Sequence, residues 1–231
     1  MDHFQENLLR PSAAWKESYP GASAGILAIR EVKNPAQYPA LEARKGVLAA
    51  DLREKYAGLE RAKLRALPTL QAYTDYYRQF KKTYHLQLQL ESVVIKGKSL
   101  PRVTPLVDAM FMAELASLLL TAGHDLAKIQ LPVRLNIAAG DEKYTRLQGN
   151  IATLKPGDMY MTDQHGVISS IIYGPDQRTR IQAETRQVLF AVYAPAGINP
   201  AAVKDHLKAL YELVQLISPE CILEEMQVYQ P

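Results

Sequence analysis

The chain has 231 residues, of which 48% are hydrophobic and 22% charged, and its formal net charge is +3. This composition is typical of a globular protein with one large domain or two closely packed subdomains. It contains no apolar stretch of the ~18 residues that a membrane span requires. Its one cysteine, Cys221, excludes a disulfide framework and a cysteine-rich metal site. The first ten residues lack the basic start and apolar run of a signal peptide, so a cytoplasmic location is expected.

Charge is unevenly distributed along the chain. Residues 41–102 contain 13 Lys or Arg and 6 Asp or Glu. A basic segment of this kind could face phosphate groups, although solvated helix faces are the simpler explanation. The overall charge is too small to indicate a strong nucleic-acid-binding protein.

The first part of the chain predicts one strand followed by helices. Residues 23–32 alternate weakly and indicate a strand, and apolar residues at three- and four-residue spacing indicate a helix over 42–59. Pro68 is suited to the first position of the next helix. Four aromatic residues share one face of that helix: Tyr73, Tyr76, Tyr77 and Phe80. Such a stripe could stack nucleic-acid bases, but contact with the core is the simpler interpretation.

The middle of the chain is apolar and less easily interpreted. Residues 86–95 fit a strand or a helix by pattern alone. An apolar helix is predicted over 106–120, ending near Gly123. Asp108 and Glu114 are the charges inside it, and a buried Asp108 would need a partner.

From Val133 onward, short β segments alternate with turn signals such as Lys155 to Asp158. This pattern predicts an antiparallel β region over about 133–195, arranged as a barrel-like sheet or a sandwich. Asn199 and Pro200 are an N-cap and a first-turn proline, which predict a last helix over about 200–217.

The predicted fold class is therefore α+β, with the β region packed against several helices. Residues 1–231 are expected to form a single unit. Within it, a helical subdomain would span about 40–130 and a β-rich subdomain about 131–198, followed by the C-terminal helix.

Several individually weak motifs occur in a fixed order between Gln87 and Val192. They are Leu100-Pro101, Val107-Asp108, Gly123 to Ile129, Val133-Arg134, Gly140-Asp141, Leu147-x-Gly149, Gly157-Asp158-x-Tyr160-x-x-Asp163, Arg178-Thr179 and Glu184-Thr185. In order and spacing they resemble the editing domain of the bacterial phenylalanyl-tRNA synthetase beta subunit and its free-standing homologues.

This resemblance implies a helix over 86–96 and a partly closed, barrel-like sheet flanked by helices. It implies hydrolysis of tyrosine wrongly attached to phenylalanine tRNA, with tRNA and an aminoacyl moiety as partners. Neither a cofactor nor a metal is expected. A chain of this length has no room for the aminoacylating parts of the synthetase, so it is not expected to charge tRNA.

The resemblance also implies a pocket against the β sheet. Six residues are candidates for substrate binding: His124, Asp163, Ser170, Tyr173, Gln177 and Thr179. Gln177 stands where the synthetase has a glutamate that recognises the tyrosine hydroxyl, and it can hydrogen-bond a phenol but cannot act as a base. The pocket histidine of the synthetase falls near Ala122, two residues before His124. These departures indicate a changed pocket, and no catalytic residue is assigned.

Simpler structural roles are available for several of these residues. His124 and Asp125 could form an acid–base pair at a helix end, but a capping Asp125 beside a half-exposed His124 is the simpler interpretation. Turn chemistry accounts equally well for Asp163 and Thr179.

Other classes of site lack support in the sequence. His85, His165 and His206 do not have the spacing of metal ligands. There is no phosphate-binding or dinucleotide-binding glycine motif, and no nucleophile elbow.

Three hypotheses therefore remain: a trans-acting editing hydrolase, a non-catalytic module that binds RNA or an amino-acid-like ligand, and an enzyme acting on an unrelated small molecule. An editing enzyme needs a pocket for an amino-acid side chain that opens onto a basic surface.

Overall fold

Proline begins the four longest helices in residues 8–231, because its fixed φ suits a first helical turn that needs no N–H donor. The computed structural model describes these residues. The helices are α1 (Ala13–Ser18), α2 (Pro39–Lys55), α3 (Arg61–Arg65), α4 (Pro68–Gln79), α5 (His85–Val94), α6 (Pro105–Ser117) and α7 (Pro200–Ile217). The proline-led helices are α2, α4, α6 and α7.

The strands of the described chain form two main sheets and a hairpin. They are β1 (Leu9–Pro11), β2 (Ser23–Arg30), β3 (Thr121–Asp125), β4 (Val133–Ile137), β5 (Lys143–Thr145), β6 (Ile151–Thr153), β7 (Met159–Asp163), β8 (Gly166–Ser170), β9 (Gly174–Pro175), β10 (Gln187–Ala194) and β11 (Ile222–Tyr229). The first sheet has the order β1-β4-β7-β8-β9 and the second has the order β11-β2-β10-β3. Strands β5 and β6 pair with each other.

The predicted α+β class is confirmed, and the arrangement is sandwich-like. Within residues 8–231 neither sheet closes on itself, so the barrel alternative is wrong. Strands β4, β7, β8 and β9 of the predicted β region lie in the first sheet. Strand β10 leaves it and lies between β2 and β3 in the second. Strands distant in sequence therefore share a sheet, which a local pattern does not specify.

The helix predicted over 106–120 is α6, and it ends at Ser117. Leu118 follows in the left-handed conformation with φ 64°. Residues 121–125 then form β3, which is buried at all five positions. The predicted helix end near Gly123 is therefore wrong. Because the segment is apolar throughout, its pattern does not distinguish a buried strand from a continued helix.

Several other predicted elements are confirmed. Strand β2 lies within the predicted 23–32, and residues 85–94 form the helix α5 that the resemblance implies. The Asn199 side chain caps α7 by accepting a hydrogen bond from Ala201 N at 2.9 Å. Strands β1 and β11 were not predicted.

Two expectations concern membranes and export. No helix of the described chain is long and apolar enough to cross a membrane. The expectation about a signal peptide rests largely on residues 1–7, which lie outside the described residues.

A close approach of α7 to β2 places the core beneath the second sheet. A Cβ atom on Gly25 would lie 2.7 Å from Val203 Cγ1 and 3.2 Å from Leu207 Cδ1. Both of these α7 residues are completely buried. Glycine at this position therefore allows the helix to pack directly on the strand.

The aromatic face of α4 connects this helix to both sheets. Tyr73 donates a hydrogen bond to the carbonyl of Tyr193 on β10. Tyr76 donates to Asp158 Oδ1 at 2.8 Å and accepts from Met159 N at 2.7 Å, next to β7. Each ring is buried, so the interpretation of the stripe as a core contact is confirmed.

A buried ion pair joins α2 to α6. Lys45 Nζ lies 2.6 Å from Asp108 Oδ2, and both side chains are at least 93% buried. Asp108 Oδ1 accepts a hydrogen bond from Val103 N at 2.8 Å, and Lys45 Nζ donates to the Pro101 carbonyl at 3.1 Å. The expectation that a buried Asp108 requires a partner is confirmed.

The substitution Lys45→Met should lower the free energy of unfolding by about 3–5 kcal/mol, because it leaves the Asp108 carboxylate buried without its counter-charge. Urea denaturation at neutral pH measures the change. The matched control is Lys63→Met on the exposed face of α3, where a change within about 0.5 kcal/mol is expected. An equally small change for Lys45→Met would show that the ion pair contributes little.

Candidate functional site

A cavity of 640 Å³ lies between the helices α4–α6 and the strands β3, β8 and β9. We call it the main cavity. Residues of α6 supply much of its apolar wall, including Val107, Met110 and Phe111. Ile171 and Ile181 line it on the side of the sheets. Its size lies within the ~300–1,000 Å³ range of small-molecule sites.

Glu114 brings a carboxyl group to this apolar cavity. The residue is 1% exposed. Its Oε1 accepts a hydrogen bond from Thr121 N at 2.7 Å, where β3 begins. Its Oε2 has no hydrogen-bond partner. Burial raises the pKa of Glu114 to about 8 despite the Thr121 N–H, so the group is mainly protonated at neutral pH.

Three cationic side chains also line the main cavity: Lys82, Arg146 and Arg180. Lys82 and Arg180 are exposed, so they lie where the cavity opens to solvent. The charged ends of Lys82 and Arg146 each lie 5.7 Å from the centre of the Tyr173 ring, within cation–π range. The cavity is therefore apolar inside and basic at its opening.

His85, the first residue of α5, also lines the main cavity. More than a third of the residue is exposed. Burial of the rest of the residue lowers the pKa of the His85 imidazole below its usual value of 6.5. Its imidazole is therefore neutral at pH 7 and available to accept a proton.

A second, more open depression of 510 Å³ has a basic lining, and we call it the basic cleft. Four cationic residues line it: Lys128, Lys143, Arg178 and Arg180. Asp176 is the acidic residue among the described residues that line it. Arg180 lines both this cleft and the main cavity.

The six predicted site residues do not share one cavity. Ser170 and Tyr173 line the main cavity, whereas Gln177 lines the basic cleft. Ser170 Oγ accepts a hydrogen bond from Tyr173 N at 3.1 Å, which shapes the turn after β8. The arrangement separates the two groups because β9 turns the chain away from the main cavity between Tyr173 and Gln177.

Asp163 holds an arginine of the basic cleft. Its two carboxylate oxygens accept hydrogen bonds from Arg178 Nη1 and Nη2, both at 2.9 Å. Burial opposes ionisation of Asp163, but hydrogen bonds from Arg178 and from two backbone N–H groups lower its pKa below the usual range. Asp163 therefore orients Arg178, and it lines neither depression.

His124 lies within β3 and is completely buried. The expectation of a half-exposed histidine at a helix end is therefore wrong, because the segment is a strand that is buried at all five positions. The Thr179 hydroxyl donates its hydrogen to Asp176 Oδ1. Thr179 Oγ1 is therefore the acceptor in its 2.7 Å contact with His124, and the Nδ1–H of His124 is the donor. Burial, and then the charge of Arg178, lowers the pKa of His124 to about 3, so it is neutral.

Asp125 has the capping role expected of it. Its Oδ1 accepts a hydrogen bond from Ala127 N at 3.2 Å, at the start of a short 3-10 turn. Its Oδ2 accepts from the Thr185 hydroxyl at 2.9 Å. No group of three or more His, Cys, Asp or Glu side chains within residues 8–231 is arranged to hold a metal ion.

Sequence reasoning did not select several residues that line the main cavity. Glu114 carries one usable signal, since it is a charge inside an apolar helix. His85 and the three cationic residues carry no such signal in the sequence. They meet at the main cavity only because of how α4, α5, the β5–β6 hairpin and the chain after β9 are placed in space.

The substitution Glu114→Gln should change how stability depends on pH. The usual pKa of glutamate is about 4.5, and the pKa of Glu114 in the folded protein is about 8. Between these two pH values, Glu114 keeps its proton in the folded state but has lost it in the unfolded state. The free energy of unfolding of the unsubstituted protein should therefore fall with rising pH relative to the variant, by up to about 1.4 kcal/mol per pH unit.

Urea denaturation of both proteins between about pH 5 and about pH 8 measures this difference. The buried Asp158, whose pKa burial raises to about 7, titrates in both proteins and cancels in the comparison. Parallel stability curves would contradict the protonated state of Glu114.

Comparison with known proteins places this arrangement in a family. The family model of the B3/4 domain matches residues 70–218, well over half of the chain. A solved N-terminal fragment of the phenylalanyl-tRNA synthetase beta-subunit from Pyrococcus horikoshii is 12% identical, with a TM-score of 0.47. The similarity covers 95% of this chain and 49% of that one, so this chain spans about half its length. No curated protein matches significantly. From the extent of the family match, the chain belongs to the B3/4 domain family.

Proposed function

We propose that this protein is an editing hydrolase that acts in trans on misacylated tRNA and cleaves the ester between the amino acid and the tRNA. The main cavity would hold the side chain of the amino acid. The basic cleft would hold the phosphate groups near the 3′ end of the tRNA. The ester would then lie between the two depressions.

The observation that carries this proposal is the position of Arg180, which lines both depressions. An aminoacyl-tRNA is a ligand of two parts, an amino acid joined to a polyanion. A mainly apolar cavity next to a basic cleft matches both parts, and lysine and arginine are the residues that neutralise phosphates. A module that binds only RNA would not need an open cavity of 640 Å³.

The reaction requires water to attack the ester carbonyl. In this proposal His85 is the catalytic base: its neutral imidazole accepts the proton of the attacking water. Arg146 and Arg180 would donate hydrogen bonds to the oxygen that becomes negatively charged. The ester C–O bond then breaks, and the terminal ribose oxygen takes the proton back from the imidazolium. Most of the acceleration would come from positioning, as expected for an activated ester.

The residues predicted from the sequence take different parts in this proposal. Ser170 and Tyr173 would contact the aminoacyl side chain, and Gln177 would contact the RNA in the basic cleft. Asp163 would position Arg178 for a phosphate group. His124 and Thr179 would act through Asp176, by fixing the loop that carries Arg178 and Arg180.

The purified protein should release amino acid from at least one member of a panel of misacylated tRNAs, including tyrosine on phenylalanine tRNA, faster than the uncatalysed reaction. His85→Gln should lower kcat by about 10²–10⁴-fold, since it removes the proton acceptor. The control is Lys204→Gln on α7, an exposed residue that lines neither depression and whose substitution should leave kcat unchanged. Measurable tRNA binding without release from any tRNA would favour the non-catalytic binding module.

Arg180→Gln should weaken tRNA binding and reduce its dependence on salt. The slope of log binding constant against log salt concentration should fall by about 0.7–0.9, the value for one phosphate contact. Filter binding over a range of salt concentrations measures the slope. The control is Lys204→Gln on α7, an exposed residue that lines neither depression. An unchanged slope for Arg180→Gln would place the RNA elsewhere.

A further inference from the structure

The main cavity is larger than one amino-acid side chain requires. A cavity of about 150 Å³ is enough to bind benzene, whereas the main cavity has a volume of 640 Å³. It therefore has room for an aromatic side chain and for further groups of similar size. Two of the side chains that line it, Val103 and Leu147, are apolar and exposed. Apolar surface thus continues to the opening, where a longer ligand can bury it.

The part of the main cavity assigned to the ester is cationic. In the proposed function the ester carbonyl lies close to Arg146 and Arg180, and Lys82 lines the same cavity. The α-nitrogen of an aminoacyl ester is bonded to the carbon next to that carbonyl, so it must lie near the same cations. A free α-amino group has a pKa of about 7.7–8.0 and is mainly an ammonium at pH 7. These like charges would repel it.

The carboxyl groups nearby do not offset this repulsion. Glu114 is the one acidic residue among the described residues that line the main cavity, and its raised pKa leaves it mainly protonated at neutral pH. Asp176 of the basic cleft is 3% exposed, and its Oδ2 lies 3.6 Å from Arg178 Nε. Its Oδ1 accepts hydrogen bonds from the N–H and the hydroxyl of Thr179. The charge of Asp176 is therefore already engaged.

Backbone carbonyl groups beside the opening are engaged as well. The Tyr173 carbonyl accepts a hydrogen bond from Arg146 Nε at 3.2 Å. The Gly174 carbonyl accepts from the Tyr144 hydroxyl at 2.6 Å. An ammonium group carries three N–H donors that each need an acceptor when water is excluded. These two carbonyls would have to be shared to serve it.

An unused acceptor in the main cavity belongs to a neutral side chain. Gln89 on α5 lines the cavity, and its Oε1 is buried without a hydrogen-bond partner. A buried acceptor without a partner is costly, so a ligand that supplies one N–H is favoured. Gln89 lies four residues after His85 on α5, so the two side chains share a helix face. The acceptor is therefore close to the proposed catalytic base.

We infer that the substrate is an N-acylated aminoacyl-tRNA, whose α-nitrogen belongs to an amide and donates its N–H to Gln89 Oε1. Acylation removes the positive charge, and the acyl group fills the part of the main cavity that the side chain leaves open. This inference rests on the proposed function and names the class of acyl group that is released. Water is the co-reactant, and the products are an N-acylamino acid and a tRNA with a free terminal hydroxyl group.

Binding of small amides tests the inference without requiring hydrolysis. Ligand-observed NMR titration at about pH 6.5, where an α-amino group is charged, would compare three probes with the same phenyl ring. N-acetyl-L-phenylalaninamide should bind about 10- to 100-fold more tightly than L-phenylalaninamide, since it gains a hydrogen bond and avoids the repulsion. The affinity of 3-phenylpropanamide, which has no α-nitrogen, should lie between the two.

Two variants of Gln89 separate the hydrogen bond from the charge. Gln89→Leu removes the acceptor, so N-acetyl-L-phenylalaninamide should lose its advantage over 3-phenylpropanamide. Gln89→Glu supplies a carboxylate, so the preference for the acetylated probe over L-phenylalaninamide should fall by about 10-fold or more. The matched control is Gln227→Glu on the exposed part of β11, and thermal melting reports whether each variant is folded.

Hydrolysis of matched tRNA substrates tests the same preference in the reaction. The substrates carry L-phenylalanine, N-acetyl-L-phenylalanine or N-acetyl-L-phenylalanyl-L-phenylalanine on one tRNA. The kcat/KM for the second should exceed that for the first by about 10-fold or more. A further increase for the third would identify a peptide as the preferred acyl group, and no further increase would identify a short acyl group.

Two binding results would overturn the inference: binding of L-phenylalaninamide as tight as that of the acetylated probe, or binding of no probe. An unchanged order of affinities in Gln89→Leu would also overturn it, because Gln89 would then not be the acceptor. Release of the free aminoacyl group as fast as that of the acetylated one would overturn it and leave the proposed function standing. Preferential binding of the acetylated probe without release from any tRNA would support the inferred preference and contradict the hydrolase.

Discussion

The tyrosine hydroxyl groups of α4 are the interaction on which the rest of the structure depends. A buried phenol must find a hydrogen-bond partner, and on α4 those partners lie in different sheets. Tyr73 donates to β10, Tyr76 to Asp158 beside β7, and Tyr77 to the carbonyl of Ile171 after β8. One helix therefore fixes the position of both sheets, and the space between them and α6 becomes the main cavity.

Buried charged groups, like buried phenols, need a partner. Lys45 and Asp108 are buried as a pair that joins α2 to α6. Glu91 on α5 is paired in the same way with Arg61 and Arg65, both at 3.0 Å. Glu114, one helical turn and a half beyond Asp108, has no counter-charge. Its raised pKa and unpartnered oxygen distinguish it from these paired carboxylates.

The electrostatic layout divides the site into two regions with different chemistry. Inside the main cavity the walls are apolar and the carboxyl of Glu114 is mainly neutral. At its opening, and along the basic cleft, arginine and lysine side chains predominate. Some of these cations are held in place by carboxylates, as Asp163 holds Arg178. Under the proposed function, the main cavity would recognise a side chain and the basic cleft would attach a polyanion, and Arg180 lines both.

The sequence by itself determined the fold class, most helix starts and the family. Proline at a helix start, an asparagine cap and alternating strand residues act over a few neighbours, so their effect can be derived locally. The ordered motifs between Gln87 and Val192 identified the family because the order and spacing of motifs can be read directly from the sequence. The need for a partner at Asp108 followed from the cost of burying a charge.

Only the tertiary structure decided where β3 lies and which residues share a cavity. The segment at Thr121 is a strand because β10, far along the chain, pairs with it. Ser170 and Gln177 are close in sequence but line different depressions, whereas His85 and Arg180 are distant in sequence and line the same one. Convergence of this kind depends on long-range packing of helices against both sheets, and no local pattern of residues contains that information.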